Sequence, residues 1–252
     1  GEDFPAETLA FLRRRRIDLK GLNVVPGGKT FFWQGRYGPD PNERETVQLD
    51  VNVFADFNPE IPPSYRNAET VFLANIDPDL QEAILRQVRR PRLTAMDTIN
   101  HWIQNKREAL LRVLREVDIL FANDEEIRLL TGERNLIAAG RRVLDMGPRY
   151  VALKKGEHGA MVFGRDFFFG IVSHPCGEVV DPTGAGDSFA GGFLGYLDAR
   201  KTLSAMAIKR AAAYGSVMAS FTIEDFGIDR FRTLRKSEVE ARFAAFRRMA
   251  AF

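Results

Sequence analysis

From residue 70 onward, short apolar segments alternate with stretches of helical length, and this rhythm constrains the fold more than any other feature of the chain. Residues 70–74, TVFLA, are typical of a short buried strand, and a helical pattern over residues 78–89 follows. Further strands and helices alternate as far as residue 172. Strands separated by helices of this length require crossover connections. The sequence therefore predicts an α/β fold with a mostly parallel sheet.

The remaining elements are assigned from the same periodicities. The other predicted strands are 93–96, 118–122, 150–153, 160–163 and 167–172. The other predicted helices are 6–16, 100–115, 124–130, 135–146, 187–199, 203–220 and 237–250.

Residues 22–57 interrupt this scheme with an aromatic, antiparallel pattern. Residues 30–37 are aromatic and strand-prone, residues 38–42 form a turn cluster, and residues 46–51 alternate with a period of two. Phe31 and Trp33 would share one face of the first strand. The segment is too small for an independent domain, so we expect it to act as a flap or lid.

Composition and charge exclude several classes of protein. Lysine and arginine number 36 against 34 aspartate and glutamate residues, and a net charge of +2 gives no global argument for a nucleic-acid partner. No run of 18 apolar residues could cross a membrane, and residues 1–5 do not resemble a secretory signal. The single cysteine, Cys176, fits a reducing compartment. We therefore expect a cytoplasmic protein.

The most informative motif lies in residues 179–193, where an apolar approach leads into a small-residue loop and then a helix. Gly184, Ala185 and Gly186 let backbone amides converge, and the helix N-terminus adds positive potential, so the loop suits a phosphate or a developing oxyanion. Asp187, at its rim, could accept the proton of a hydroxyl that attacks a bound phosphorus. Proximity and charge stabilisation would then come from one loop.

Asn123 and Glu126 form a second candidate pair after a predicted strand. An amide and a carboxylate at this spacing could orient waters around Mg²⁺. The same spacing also suits a helix cap with a capping-box glutamate. The phosphate-binding loop downstream favours the metal interpretation. Asp97 and Asn100 follow another predicted strand, where they could approach a substrate or be a solvated carboxylate and a helix cap.

Two other phosphate motifs are rejected. Gly28-Lys29-Thr30 resembles the end of a P-loop, but Asn23 stands at the position of the first glycine and an aromatic strand follows. Gly184-x-Gly186 fails as a dinucleotide fingerprint because Phe189 occupies the third glycine position.

Residues 181–187, DPTGAGD, resemble the Asp-Thr-x-Gly-Ala-Gly-Asp motif of ribokinase-like (PfkB-type) carbohydrate kinases, with Pro182 in place of the usual threonine. Residues 123–126 match the family's Asn-x-x-Glu motif, residues 154–160 resemble its nucleotide loop, and residues 211–217 its adenine-facing helix. The resemblance implies a three-layer α/β/α kinase domain over residues 1–252, with 22–57 as a β lid.

The resemblance also implies roles for individual residues. Asp187 would be the catalytic base, and the amides of Gly184, Ala185 and Gly186 would stabilise the transferred phosphoryl group. ATP and Mg²⁺ are the implied cofactors, with Asn123 and Glu126 holding the metal through water. Asp181 and Thr183 match a site for a monovalent cation such as K⁺. The nucleotide-binding residues would be Asn123, Lys154, Gly156, Glu157, Gly159 and Ser216.

The implied reaction is ATP-dependent phosphorylation of a hydroxyl on a sugar or sugar-like acceptor. A nucleoside kinase of the same fold and a catalytically silent relative are the alternatives. Ribokinase-like enzymes include monomers and dimers, and the aromatic lid favours a homodimer contact. The family's first strand, with its substrate-binding aspartate, is missing, and Gly1-Glu2-Asp3 resembles the Gly-x-Asp that follows it. We expect the chain to be a fragment, which leaves the acceptor unnamed.

Overall fold

The computed structural model describes residues 1–38 and 44–250, which form two separate sheets flanked by helices. The smaller sheet is a hairpin of β1 (Phe32–Tyr37) and β2 (Arg44–Asp50). The larger sheet has six strands: β3 (Thr70–Leu73), β4 (Leu93–Asp97), β5 (Ile119–Asn123), β6 (Tyr150–Lys154), β7 (Ala160–Gly164) and β8 (Phe167–Ile171). Residues 39–42 of the turn cluster lie outside the described residues.

The six strands are arranged in the order in which they occur in the sequence. β3, β4, β5 and β6 pair in parallel through crossover helices, whereas β7 and β8 are added as antiparallel strands at the end of the sheet. The predicted mostly parallel sheet is therefore confirmed. Because parallel strands end at one edge, the carboxyl ends of β4, β5 and β6 lie side by side, which brings Asp97, Asn123 and Lys154 to one edge.

Ten helices surround the sheet in the part of the chain described here. Their bounds are α1 (Ala6–Arg14), α2 (Pro78–Gln87), α3 (Asn100–Asn105), α4 (Arg107–Leu114), α5 (Asp124–Thr131), α6 (Leu136–Leu144), α7 (Ala185–Arg200), α8 (Ala205–Thr222), α9 (Asp229–Thr233) and α10 (Lys236–Met249).

The sheet has a hydrophobic core on each face, because successive side chains of a strand point to opposite sides. On one face, Met96 and Leu120 pack with side chains of α4, α5 and α6, such as Val113. On the other face, Ala95 and Phe121 pack with α7 and α8. Two helical layers around one sheet confirm the predicted three-layer α/β/α arrangement.

The hairpin confirms the antiparallel pattern predicted within residues 22–57. The pairing register of the hairpin shifts between Gln34 and Gly35, which indicates a β-bulge. Despite this shift, β1 is a continuous strand. Exposure alternates along β1, with Trp33 and Tyr37 on the half-buried face and Phe32 on the exposed one. Phe31 precedes the strand, and its ring contacts the edge of Phe54.

The helical region predicted as 100–115 differs from the expectation. It is broken at Lys106, whose φ of −132° and ψ of 32° lie outside the helical region, so α3 and α4 are separate helices. The Lys106 ammonium lies 2.7 Å from Asp79 and 3.5 Å from Asp77 at the start of α2. The short helix α9 was absent from the predicted elements. Among the described residues, none of the helices is long and apolar enough to span a membrane.

Candidate active site

Lys154 and Asp97 form an ion pair at the carboxyl edge of the sheet. Lys154 Nζ donates to Asp97 Oδ2 at 2.8 Å, and the two side chains are 18% and 5% exposed. The other Asp97 oxygen, Oδ1, accepts the Thr98 amide at 2.8 Å. The solvated-carboxylate interpretation of Asp97 is therefore wrong. Asn100 does not cap α3 either, because it lies inside the helix and Ile99 occupies the N-cap position.

The Lys154 ammonium interacts electrostatically with three carboxylates. Burial by itself would lower the pKa of Lys154, but the negative charges of Asp97, Glu126 and Asp187 outweigh it and raise the pKa above its ordinary value. The ammonium is therefore firmly protonated at neutral pH. It lies beside the start of α7, since a Cβ placed on Gly186 would be 3.2 Å from Lys154 Nζ.

The loop before α7 ends at a glycine that starts the helix. Gly184 is the N-cap residue of α7 with φ of 80°, a left-handed conformation that favours glycine. The Ala185 amide donates to the Pro182 carbonyl at 3.2 Å, and the helix dipole places positive potential at this end of α7. Asp187 lies in the first turn and is exposed. The roles of Asp187 and of the amides of residues 184–186 stay predictions.

Asp181 fixes the approach to this loop. Its Oδ1 accepts the Thr183 amide at 2.9 Å, and its Oδ2 accepts the Gly227 amide at 3.0 Å. Burial would raise the pKa of Asp181, but the hydrogen bonds from Thr183 and Gly227 hold it below its ordinary range. The ionised carboxylate therefore joins the loop before α7 to the segment after α8.

Asn123 and Glu126 form the capping box that the alternative interpretation predicts. Asn123 Oδ1 accepts the Glu126 amide at 2.8 Å, and Glu126 Oε2 accepts the Asn123 amide at 2.6 Å. The glutamate is 6% exposed and lies close enough to Lys154 to raise its pKa. The metal role of the pair stays a prediction.

The segment after β6 forms a tight turn that leads into β7. Gly156 begins a short 3-10 turn, and the Glu157 carbonyl accepts the Ser173 hydroxyl at 2.5 Å. Gly159 has φ of 89°, and a Cβ there would lie 2.0 Å from the Ile171 carbonyl oxygen. Only glycine allows this close approach of backbone to backbone.

Ser216, also predicted to bind nucleotide, is 7% exposed and lies within α8. Its hydroxyl accepts the His174 amide at 3.0 Å. Ser216 therefore fixes the segment after β8 against α8.

The hairpin reaches the loop before α7 directly. The Tyr37 hydroxyl lies 2.9 Å from Thr183 Oγ1, although the two residues are 146 positions apart in the chain. Nothing in the sequence indicates this contact, because the turn residues around Tyr37 show only where the strand ends. The sequence does not indicate the ion pair of Asp97 either. Only the position of Asp97 at the end of a strand identifies it as a candidate residue.

A separate cavity of about 540 Å³ lies between the N-terminal segment and the base of the hairpin. Its walls include Phe4, Val24, Phe31, Phe54 and Phe57, and none of the predicted site residues line it. The cavity therefore does not include the sheet edge at Asp97 and Lys154 or the loop before α7.

Comparisons with known proteins identify the family of this chain. Residues 47–230 match the model of the pfkB family of carbohydrate kinases. The chain is 33% identical to a cytidine kinase of Thermococcus kodakarensis over 77% of this chain and 70% of that protein. It is 28% identical to a nucleoside kinase of Methanocaldococcus jannaschii over 66% of this chain, and the match covers only 52% of that enzyme.

A solved structure shows the same fold. A protein from E. coli described as a ribokinase II, in complex with ATP and Mg²⁺, superimposes with a TM-score of 0.76 and 20% identity over 95% of this chain and 79% of the other. The expected class of enzyme, a kinase acting on a sugar or nucleoside, is confirmed by the family match and by these relatives. The chain belongs to the pfkB family of carbohydrate kinases.

Proposed function

We propose that residues 1–252 act as one kinase domain that transfers the γ-phosphoryl group of ATP to a hydroxyl of a nucleoside. The observation that carries the reaction is the first turn of α7, where the exposed Asp187 directly follows the backbone amides of residues 184–186. Asp187 accepts the proton of the attacking hydroxyl, and the amides stabilise the negative charge on the transferred phosphoryl group. Both groups belong to one rigid helix start, which provides the alignment that in-line transfer requires.

The sheet edge supplies the positive charge for the nucleotide phosphates. Lys154 holds its ammonium next to Gly186, and Asp97 anchors it there at 2.8 Å. Phosphate oxygens can replace part of this pairing, because an ammonium has three donors. The turn at Gly156, Glu157 and Gly159 and the neighbouring segment fixed by Ser216 lie around the same end of the sheet. In this proposal they hold the rest of the nucleotide.

Mg²⁺ fits Asn123 and Glu126 as a water-mediated site. No group of three or more His, Cys, Asp or Glu residues suited to direct metal binding occurs in the described ranges 1–38 and 44–250. Mg²⁺ usually keeps several waters and takes one or two carboxylates plus substrate phosphates. When bound, the ion would neutralise charge that develops on the phosphate oxygens. Asn123 and Glu126 would orient its waters while keeping their capping hydrogen bonds.

A monovalent cation such as K⁺ is proposed beside the same loop, next to Asp181 and Thr183. The support is the buried carboxylate of Asp181, which carries a charge close to the loop without facing the substrate. An ion there would order the loop and raise kcat more than affinity. Equal rates in potassium, sodium and a bulky organic cation at fixed ionic strength would contradict this site.

The nucleoside is proposed as acceptor because the cytidine kinase and the nucleoside kinase both carry that substrate in their names. A sugar acceptor is the second candidate, since the family is described as carbohydrate kinases.

The deciding experiment incubates the protein with ATP and Mg²⁺ and a panel of nucleosides and sugars, and identifies products by mass spectrometry. Phosphorylated nucleosides are expected. Phosphorylation of sugars alone would support the second candidate. Nucleotide binding without turnover of any acceptor would indicate a catalytically silent relative.

The hairpin within residues 22–57 is proposed as a lid over the acceptor. Trp33 and Tyr37 lie on its half-buried face, and Tyr37 reaches the loop before α7. A lid excludes water that would otherwise accept the phosphoryl group. The opposite face of the hairpin exposes Phe32, which is 46% exposed and supports a homodimer contact.

A further inference from the structure

Tyr37 makes the contact that joins the hairpin to the loop before α7. The residue ends β1 on the half-buried face, and its hydroxyl lies 2.9 Å from Thr183 Oγ1 in a partly buried position. Thr183 immediately precedes Gly184, the N-cap of α7, and Asp187 lies in the first turn of that helix. One hydroxyl therefore links the lid to the segment that positions the proposed base and the phosphoryl-binding amides.

The contact joins two hydroxyl groups, either of which can be the donor. Asp181 accepts amide hydrogens at both of its oxygens, as an ionised carboxylate does. One of these amides belongs to Thr183, so the residue that Tyr37 contacts is itself held to Asp181.

Thr183 is firmly held through its backbone. Asp181 is 7% exposed and takes the Gly227 amide at 3.0 Å in addition to the Thr183 amide at 2.9 Å. Tyr37 thus attaches the hairpin to a fixed point of the main domain, whereas the described strands β1 and β2 pair only with each other.

We propose that Tyr37 is a positioning residue that couples closure of the lid to the geometry of the phosphoryl-binding loop. This inference rests on the proposed phosphotransfer. With the contact formed, the lid excludes water and the loop is held in its productive arrangement; without it, the lid opens more often and water competes with the acceptor. A single neutral hydrogen bond of this kind shifts such an equilibrium by about fivefold.

The kinetic test compares Tyr37→Phe with Tyr65→Phe. Tyr65 is the control, because it is likewise half-buried and its hydroxyl donates to the Asp18 carbonyl at 2.9 Å, a contact that does not involve the loop. Tyr37→Phe should lower kcat about fivefold and raise acceptor-independent ATP hydrolysis relative to phosphotransfer, with ATP affinity unchanged. Tyr65→Phe should leave kcat and the ratio of ATP hydrolysis to phosphotransfer at their wild-type values. Equal behaviour of the two variants would overturn the proposal.

A second test needs no turnover. In a Trp102→Phe background, Trp33 is the remaining tryptophan and reports on the hairpin, where its Nε1 donates to Thr46 Oγ1 at 3.2 Å. Acrylamide quenching of Trp33 in the ligand-free protein should increase in Tyr37→Phe and in Thr183→Val, and return to the wild-type value in Thr183→Ser. Tyr37→Phe should add nothing when introduced into Thr183→Val. Additive effects of the two substitutions, or no change in quenching, would overturn the coupling.

These two tests separate the coupling from the proposed function. If the wild-type protein phosphorylates no acceptor but the variants show the expected quenching pattern, the proposed kinase reaction is contradicted and the Tyr37–Thr183 contact is supported. If the wild-type protein is active and the Tyr37→Phe variant behaves like it in both assays, only the proposed coupling is contradicted.

Discussion

Asp187 is the residue on which the proposed chemistry depends most directly. Asp187→Asn keeps the size of the side chain and its position in the first turn of α7, but the amide cannot accept a proton. Turnover should fall about 10²- to 10⁴-fold, the usual effect of losing a general base, while ATP affinity should be nearly unchanged. Steady-state kinetics and calorimetric titration with ATP measure the two quantities separately.

Asp166→Asn is the matched control, because Asp166 is also exposed but lies in the turn between β7 and β8. It should behave as the wild type. An Asp187→Asn protein retaining more than about a tenth of wild-type kcat would show that Asp187 is not the base.

Lys154 should determine nucleotide affinity. Lys154→Met removes the ammonium next to Gly186 and should weaken ATP binding about tenfold to a hundredfold, as expected for hydrogen bonds that involve a charged group. It also leaves the carboxylate of Asp97 buried without its ion-pair partner, which destabilises the fold. The double variant Asp97→Asn/Lys154→Met should recover thermal stability but not ATP affinity.

Lys236, in α10, offers the control. Its side chain is 88% exposed, so Lys236→Met should leave ATP affinity within about twofold of the wild type, because surface charges contribute little. If the double variant bound ATP as well as the wild type, the Lys154–Asp97 pair would be purely structural.

At the scale of helices and strands, the sequence predicts the parallel sheet and its order of elements because apolar strands and helical periodicities alternate so regularly. The break at Lys106 escapes such reasoning: Arg107 and Glu108, which follow it, are good helix formers, and the break coincides with an ion pair to α2, a tertiary contact. The glycine loop before α7 is predictable because its chemistry is local. The Tyr37–Thr183 contact is not, since it joins residues 146 positions apart.

The turn between β6 and β7 should be intolerant of any side chain at Gly159. Gly159→Ala places a Cβ 2.0 Å from the Ile171 carbonyl oxygen in a left-handed conformation, so we expect a loss of about 3 kcal/mol in unfolding free energy. Gly170→Ala, in β8, meets nothing within 4 Å and should change stability by less than about 0.5 kcal/mol. Urea denaturation measures both. A Gly159→Ala protein as stable as Gly170→Ala would contradict the close packing of this turn.

For the molecule as a whole, stability should be lost on the acidic side of pH 4. Hydrogen bonds from Thr70 and Lys201 lower the pKa of Asp198 below its ordinary value of 3.8. Burial would raise the pKa of Asp181, but hydrogen bonds outweigh burial and lower it below the same ordinary value. A carboxyl group whose pKa is lower in the folded state stabilises the protein above its unfolded pKa. That contribution disappears as the pH falls through the folded pKa.

The urea midpoint should therefore change little between pH 7 and pH 5 and fall steeply below about pH 4. In Asp198→Asn the fall should be shallower, because one of the linked groups no longer titrates. An unchanged midpoint at pH 3 would contradict these hydrogen-bonded carboxylates.

The exposed surface of the hairpin also predicts the subunit arrangement. Phe31, Phe32, Val47, Leu49 and Val51 are each between 41% and 53% exposed, and they lie on or next to the hairpin. Leu49 pairs with Trp33 and shares its half-buried face, whereas Phe32 lies on the opposite, exposed face. Exposed apolar side chains of this kind commonly mark a contact between subunits. Light scattering at micromolar concentration should therefore give the mass of a dimer, and Phe32→Gln should shift the equilibrium towards the monomer. Phe226→Gln, at a position that is 73% exposed in the segment after α8, should leave the mass unchanged. A wild-type protein that is a monomer under these conditions would contradict the homodimer and leave the lid, which acts within one chain, unaffected.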